Sequence, residues 1–179
     1  MTNAFPVRCL LLAVAVLAML SVPLAVEAAD FRLSDIRIFG GDGIGLEDTP
    51  PEAWLAGVAL GIEKGRRLRV SLEFVHGQIY GWDYYERRRI LINPVFEYRF
   101  WPERRVQPYL GGGVGLVLGF DQWPTGENDE LEWEWGPAIS VTWGGGVRLF
   151  LTKRLFIAPD VRMGFYPFLQ STVGIGYRF

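Results

Sequence analysis

Beyond residue 30 the chain alternates between bulky apolar residues and small or polar ones. In residues 90–100, Ile90, Ile92, Pro94, Phe96, Tyr98 and Phe100 share one face, and Leu91, Asn93, Val95, Glu97 and Arg99 the other. A period of two is the mark of a strand with chemically different faces. The same pattern runs through residues 68–74, 139–151, 155–165 and 172–179, and less cleanly through 32–39, 53–63 and 106–120. These segments predict eight strands, most of about ten residues, the length of a tilted membrane-crossing strand. No stretch carries the 3.6-residue period of a long amphipathic helix.

The connections alternate too. Strands 2–3, 4–5 and 6–7 are joined by tight basic turns around residues 64–67, 101–105 and 152–154. The outer set (40–52, 81–87 and 121–135) is longer or more acidic and reads as loops, with a short connection near Pro167. Short turns at one end and long loops at the other predict an all-β, eight-stranded antiparallel up-and-down transmembrane β-barrel. The even count puts both chain ends on the short-turn, periplasmic side.

The first thirty residues have different patterning. An uncharged apolar run, residues 9–20, follows Arg8; Ser21 and Pro23 break it, and Val26-Glu27-Ala28 has the form of a cleavage site. This predicts a secretory signal peptide over residues 1–28 and a barrel over 29–179. The single Cys of the sequence, Cys9, falls in that leader. A disulfide framework and a thiolate zinc site are excluded.

Composition then settles which face points inward. Of 179 residues, 50% are hydrophobic and 22 are Gly. The bulky residues share one set of faces; Gly111, Gly113, Gly115, Gly144, Gly146, Gly174 and Gly176 share the other with the charges. An eight-stranded barrel has room inside only for its own side chains. Small residues therefore face the lumen and bulky ones face lipid. The charges expected inside are Arg69, Glu73, Glu97, Arg99, Arg148, Asp160, Arg162 and Arg178, five Arg against three acids. Unpaired charge there is costly, so these residues are expected to form a paired ionic network. Tyr98-Arg99-Phe100 and Tyr177-Arg178-Phe179 close strands 4 and 8 with one repeated triplet. It puts two rings at the lipid interface and an Arg between them in the lumen. A net charge of −2 leaves no electrostatic case for nucleic acid.

The chain closes on Val173, Ile175, Tyr177 and Phe179 at alternate positions. This resembles the signal that the barrel-assembly machinery recognises in bacterial outer-membrane barrels. Residues 108–115 and 143–150 are similar to the Gly-rich strands of the small outer-membrane β-barrel group, which includes opacity-type and porin-like proteins. The resemblance covers the whole mature chain. It implies a Gram-negative outer membrane, contact with outer-membrane lipids and lipopolysaccharide, and a monomer.

Catalytic chemistry finds little support. Lipid A deacylases of similar size carry a His-x-Ser motif. Here the penultimate strand has neither residue, and the only His, His76, is followed by Gly77-Gln78. His76 falls near the outer end of strand 3 and reads as an interfacial contact to lipid. The acids of residues 121–134 match no calcium-loop spacing, and Gly41-Asp42-Gly43-Ile44-Gly45 lacks the Lys of a phosphate loop. No cofactor, metal or catalytic residue is expected. The expected role is structural or interactional at the cell envelope, with an occluded lumen. The alternatives are a narrow porin-like channel and a lipid A-modifying enzyme.

Overall fold

The computed structural model describes residues 31–44, 52–80, 86–125, 130–164 and 169–179. The expected leader therefore lies outside the described residues. Eight strands follow in chain order: β1 Phe31–Ile44, β2 Glu52–Lys64, β3 Leu68–Tyr80, β4 Glu86–Arg99, β5 Val106–Thr125, β6 Glu130–Phe150, β7 Leu155–Gly164 and β8 Leu169–Arg178. Each pairs with the next, and β1 closes on β8 in a single antiparallel barrel.

The burial is inside out relative to a water-soluble domain. Ile38, Trp143 and Ile175 are about 60% or more exposed on the outer face, whereas Arg69, Glu97, Arg99 and Arg148 are wholly buried in the lumen. A surface of contiguous Ile, Leu, Phe and Trp is unfavourable in water and suited to lipid. Small residues line the inside because the strands and the long inner side chains leave no more space. A Cβ on Gly61 would strike the Arg69 guanidinium, and one on Gly176 would overlap the Phe156 ring.

The strands are longer than the alternation alone suggests. β1 runs on through Gly40, Gly41 and Gly43, residues expected in a loop. A Cβ at Gly41 would run into the Ser171 carbonyl of β8, so glycine marks a close strand approach there rather than a bend. The expected loop over 121–135 is a β-hairpin for most of its length. Pairing continues from Gly119↔Gly136 to Thr125↔Glu130, and only residues 126–129 fall outside the described set. The acids of β6 alternate with Leu131, Trp133 and Trp135, and that period of two carries the hairpin outward. β4 likewise begins at Glu86, inside the expected 81–87 loop. Gly65, in the β2–β3 turn, has a positive φ of 65°, a conformation costly for any residue with a Cβ.

Candidate functional site

The lumen holds the chemistry of this chain. Its inward residues come from every second position of each strand, so their identities are set strand by strand while their contacts cross the barrel. Two closed ionic rings result.

The first ring uses β1, β3, β4 and β6. Arg69 donates Nε and Nη2 to the two carboxylate oxygens of Asp35 at 2.9 and 2.6 Å. Its Nη1 donates to Glu97 Oε1 at 2.8 Å. Arg148 Nη2 donates to Glu97 Oε2 at 2.5 Å, and its Nη1 lies 3.5 Å from Asp35 Oδ2. Two cations and two anions alternate around a closed loop, and the side chain of each is no more than 2% exposed.

The second ring draws on β1, β3, β5 and β7. Arg37 Nη2 donates to Glu73 Oε1 at 2.8 Å. Arg162 reaches both Glu73 oxygens at 2.6 and 3.1 Å and binds Asp160 Oδ1 through Nε at 2.7 Å. The Tyr109 hydroxyl donates to Asp160 Oδ2 at 2.5 Å and accepts from Arg37 Nη1 at 3.3 Å, which closes the circuit. Tyr109 lets the ring close without a fourth charge pair. Charge-assisted, side-on contacts of this kind are the strongest polar contacts available to Arg.

A third pair, Arg99 Nη1 to Glu63 Oε1 at 2.6 Å, stands at the turn end of the barrel. Arg178 is not held by either ring. It is half-buried at the same mouth, its Nη2 lies 3.4 Å from the Gln107 amide oxygen, and its guanidinium packs 4.3 Å from the Phe150 ring centre. Toward the other end the lumen turns apolar. Phe39, Leu55, Val75, Leu91 and Val117 form one buried cluster with Ala59. Between that cluster and the rings Asn93 donates to Thr142 at 2.9 Å.

Seven of the eight charges read from the sequence thus lie buried in the lumen, and Arg178 stands at its edge. The apparent excess of Arg came from missing the acids Asp35 and Glu63, and Arg37 and the neutral Tyr109 were missed with them. Asp35 and Arg37 alternate with Ile36 and Ile38, a signal present in β1 but overshadowed by the glycines that follow. Val173, Ile175, Tyr177 and Phe179 all project from the outer face of the closing strand. His76 sits on the outer face as well, edge-on to Trp54 with ring centres 5.3 Å apart, and Trp54 donates its indole N–H to Gln78 at 3.0 Å. Ser71 is fully buried in the lumen on the opposite face of β3, so it cannot pair with His76 as nucleophile and base. Among the described residues no His, Cys, Asp and Glu cluster could hold a metal ion.

No protein-family model and no curated protein sequence matches the chain. Solved structures do. Neisserial surface protein A aligns at a TM-score of 0.63 with 14% identity over 83% of this chain and 97% of that one. The N-terminal β-barrel domain of Pseudomonas aeruginosa OprF aligns at 0.59 with 14% identity over 82% and 96%. The outer membrane protein OprG of P. aeruginosa aligns at 0.56 with 12% identity over 84% and 98%. At such identities the likeness is one of fold: the chain has the architecture of the small eight-stranded outer-membrane β-barrels.

Proposed function

We propose that the chain is an integral outer-membrane protein with a closed lumen and a structural or surface-interaction role in the envelope. The leader-like first segment fits export, and the exposed apolar girdle fits contact with membrane lipid, including lipopolysaccharide at the outer face. The filled lumen is the observation that carries the reading. The two ionic rings tie β1, β3, β4, β5, β6 and β7 together across the interior, and the buried Phe39 cluster lies beyond them. An ion would have to break buried charge pairs and then cross an apolar layer, both costly steps. Among the described residues Ser71 and His76 lie on opposite faces of β3 and form no nucleophile and base pair.

Planar-bilayer recording of the purified barrel tests this. Lasting absence of single-channel steps is expected. Reproducible steps of uniform size would replace the proposal with a narrow channel.

A further inference from the structure

The repeated triplet Tyr-Arg-Phe has its middle Arg in or beside the lumen, which leaves its outer rings and the basic turns without a role. The structure shows that the triplet is half of a larger repeat. In the first copy, the residue after Arg67 is Leu68, which pairs across the strands with Tyr98. The Arg67 carbonyl accepts from the Arg99 amide at 2.9 Å, and Arg67 Nη1 donates to the Tyr98 hydroxyl at 2.9 Å. Tyr98 and Phe100 meet edge to face at 5.4 Å. In the second copy, Leu155 follows Arg154 and pairs with Tyr177. The Arg154 carbonyl accepts from the Arg178 amide at 2.7 Å, and Arg154 Nη1 donates to the Tyr177 hydroxyl at 2.8 Å. Tyr177 and Phe179 meet edge to face at 5.8 Å. The same backbone bond, side-chain bond and ring contact thus recur at two places that share only an Arg-Leu pair and the triplet in sequence.

Each copy leaves the same groups available. Arg67 and Arg154 are exposed and use only Nη1 on their Tyr. Among the described residues no carboxylate pairs with either guanidinium, and no acceptor meets its Nε and Nη2. Those two atoms form the side-on edge that takes two oxygens of a carboxylate or phosphate at once. The Tyr hydroxyl, accepting from Arg, keeps its own proton to donate to the same ligand. The rings beneath, Tyr98 with Phe100 and Tyr177 with Phe179, are outward and partly exposed. They place the guanidinium at the border between an apolar surface and water. The surrounding turns carry Lys64, Arg66, Arg104, Arg105 and Lys153 against the single acid Glu103. One copy lies between β3 and β4 and the other between β7 and β8, so they face opposite sides of the eight-strand circuit.

We propose that Arg67–Tyr98 and Arg154–Tyr177 are two matched binding sites for the phosphate of a net-anionic phospholipid, in the leaflet that meets the short turns. The inference rests on the membrane-embedded reading above. The guanidinium edge takes two phosphate oxygens, the Tyr hydroxyl takes a third contact, and the acyl chains run down the aromatic face. The basic rim selects against headgroups that carry their own ammonium.

The test is native mass spectrometry of the whole barrel extracted from phosphatidylcholine vesicles with and without phosphatidylglycerol. Up to two retained phosphatidylglycerol molecules are expected, preferred over phosphatidylcholine. Arg67→Gln with Arg154→Gln should weaken retention about tenfold or more per site, the scale of lost hydrogen bonds to a charged group. Tyr98→Phe with Tyr177→Phe should weaken it less, because the guanidinium edge remains. Heat-modifiable gel migration of each variant reports folding separately, and the Tyr→Phe pair keeps the packing of the rings. Equal retention of both lipids, retention unaffected by the Arg pair, or displacement of the lipid by inorganic phosphate alone would overturn the proposal. A barrel that inserts and migrates normally but shows no lipid preference removes only these sites; failure to insert in any vesicle removes the membrane reading with them.

Discussion

Replacing Glu97 by Gln takes one negative charge out of the first ring at almost constant volume. Glu97 accepts from Arg69 at 2.8 Å and from Arg148 at 2.5 Å, and its side chain is fully buried. After the change Asp35 alone faces two guanidinium groups. The new amide nitrogen also presents a donor to one of them. Removing one partner of a buried pair strands the other charge out of water, and such changes cost about 3–5 kcal/mol. The rim pair Arg66–Glu103 offers an internal comparison, since both side chains are largely exposed. Glu103→Gln should cost about 0–1 kcal/mol. Equilibrium unfolding by urea in phospholipid vesicles, followed by tryptophan fluorescence, measures both on one scale. A loss for Glu97→Gln no larger than that for Glu103→Gln would refute the reasoning. A second variant separates charge from packing. Replacing the entire ring with apolar residues of similar volume (Asp35→Leu, Arg69→Met, Glu97→Leu, Arg148→Met) removes the stranded charge along with its partners. It should be more stable than the single Glu97→Gln change.

The apolar cluster and the glycines give three further expectations. Phe39→Ala should lower stability by about 3–5 kcal/mol yet leave planar bilayers silent, because both ionic rings still cross the lumen; single-channel steps would place the block in the cluster alone. Gly176→Val should abolish the compact, heat-modifiable gel band, since its side chain would occupy the space of the buried Phe156 ring. Adding Phe156→Ala to it should restore the band. Gly65→Ala should cost about 1 kcal/mol in the urea assay because of its left-handed backbone, and an unchanged midpoint would show that the turn relaxes freely.

The strand faces of this barrel are legible in its sequence because lipid and a narrow lumen demand opposite side-chain sizes at adjacent positions. Residues 172–179 display that contrast plainly, whereas 90–100 blur it because Leu91 and Val95 also face inward. β1 hides it. Gly41 satisfies the close approach to β8, but in sequence the glycines look like a loop, and Asp35 and Arg37 are lost with them. The β5–β6 extension is hidden for a different reason: acids suggest a solvated loop even when they alternate with Trp and Leu. Pairing within the lumen is the least legible feature. Arg162 on β7 meets Glu73 on β3, across the barrel, and no spacing along the chain encodes that contact. The backbone half of the Arg–Tyr repeat is equally silent, because Arg67 and Arg154 stand at different distances from their triplets.

A pattern with a period of two has a blind spot. Sliding one strand past its neighbour by two residues returns every bulky side chain to lipid and every small one to the interior, so the girdle is indifferent to that error. The rings are not. In the native register Arg69 stands opposite Glu97, and Glu73 opposite Asn93. Two residues one way would set Arg69 against Arg99; two the other way would set it against Val95. Either shift buries a charge beside its like or beside a hydrocarbon. The interior salt bridges thus act as a vernier on strand alignment, and the alignments around a closed barrel fix its tilt and bore. A lineage carrying this lumen can trade Leu for Ile on its outside one residue at a time, but can rewrite its inside only in matched sets.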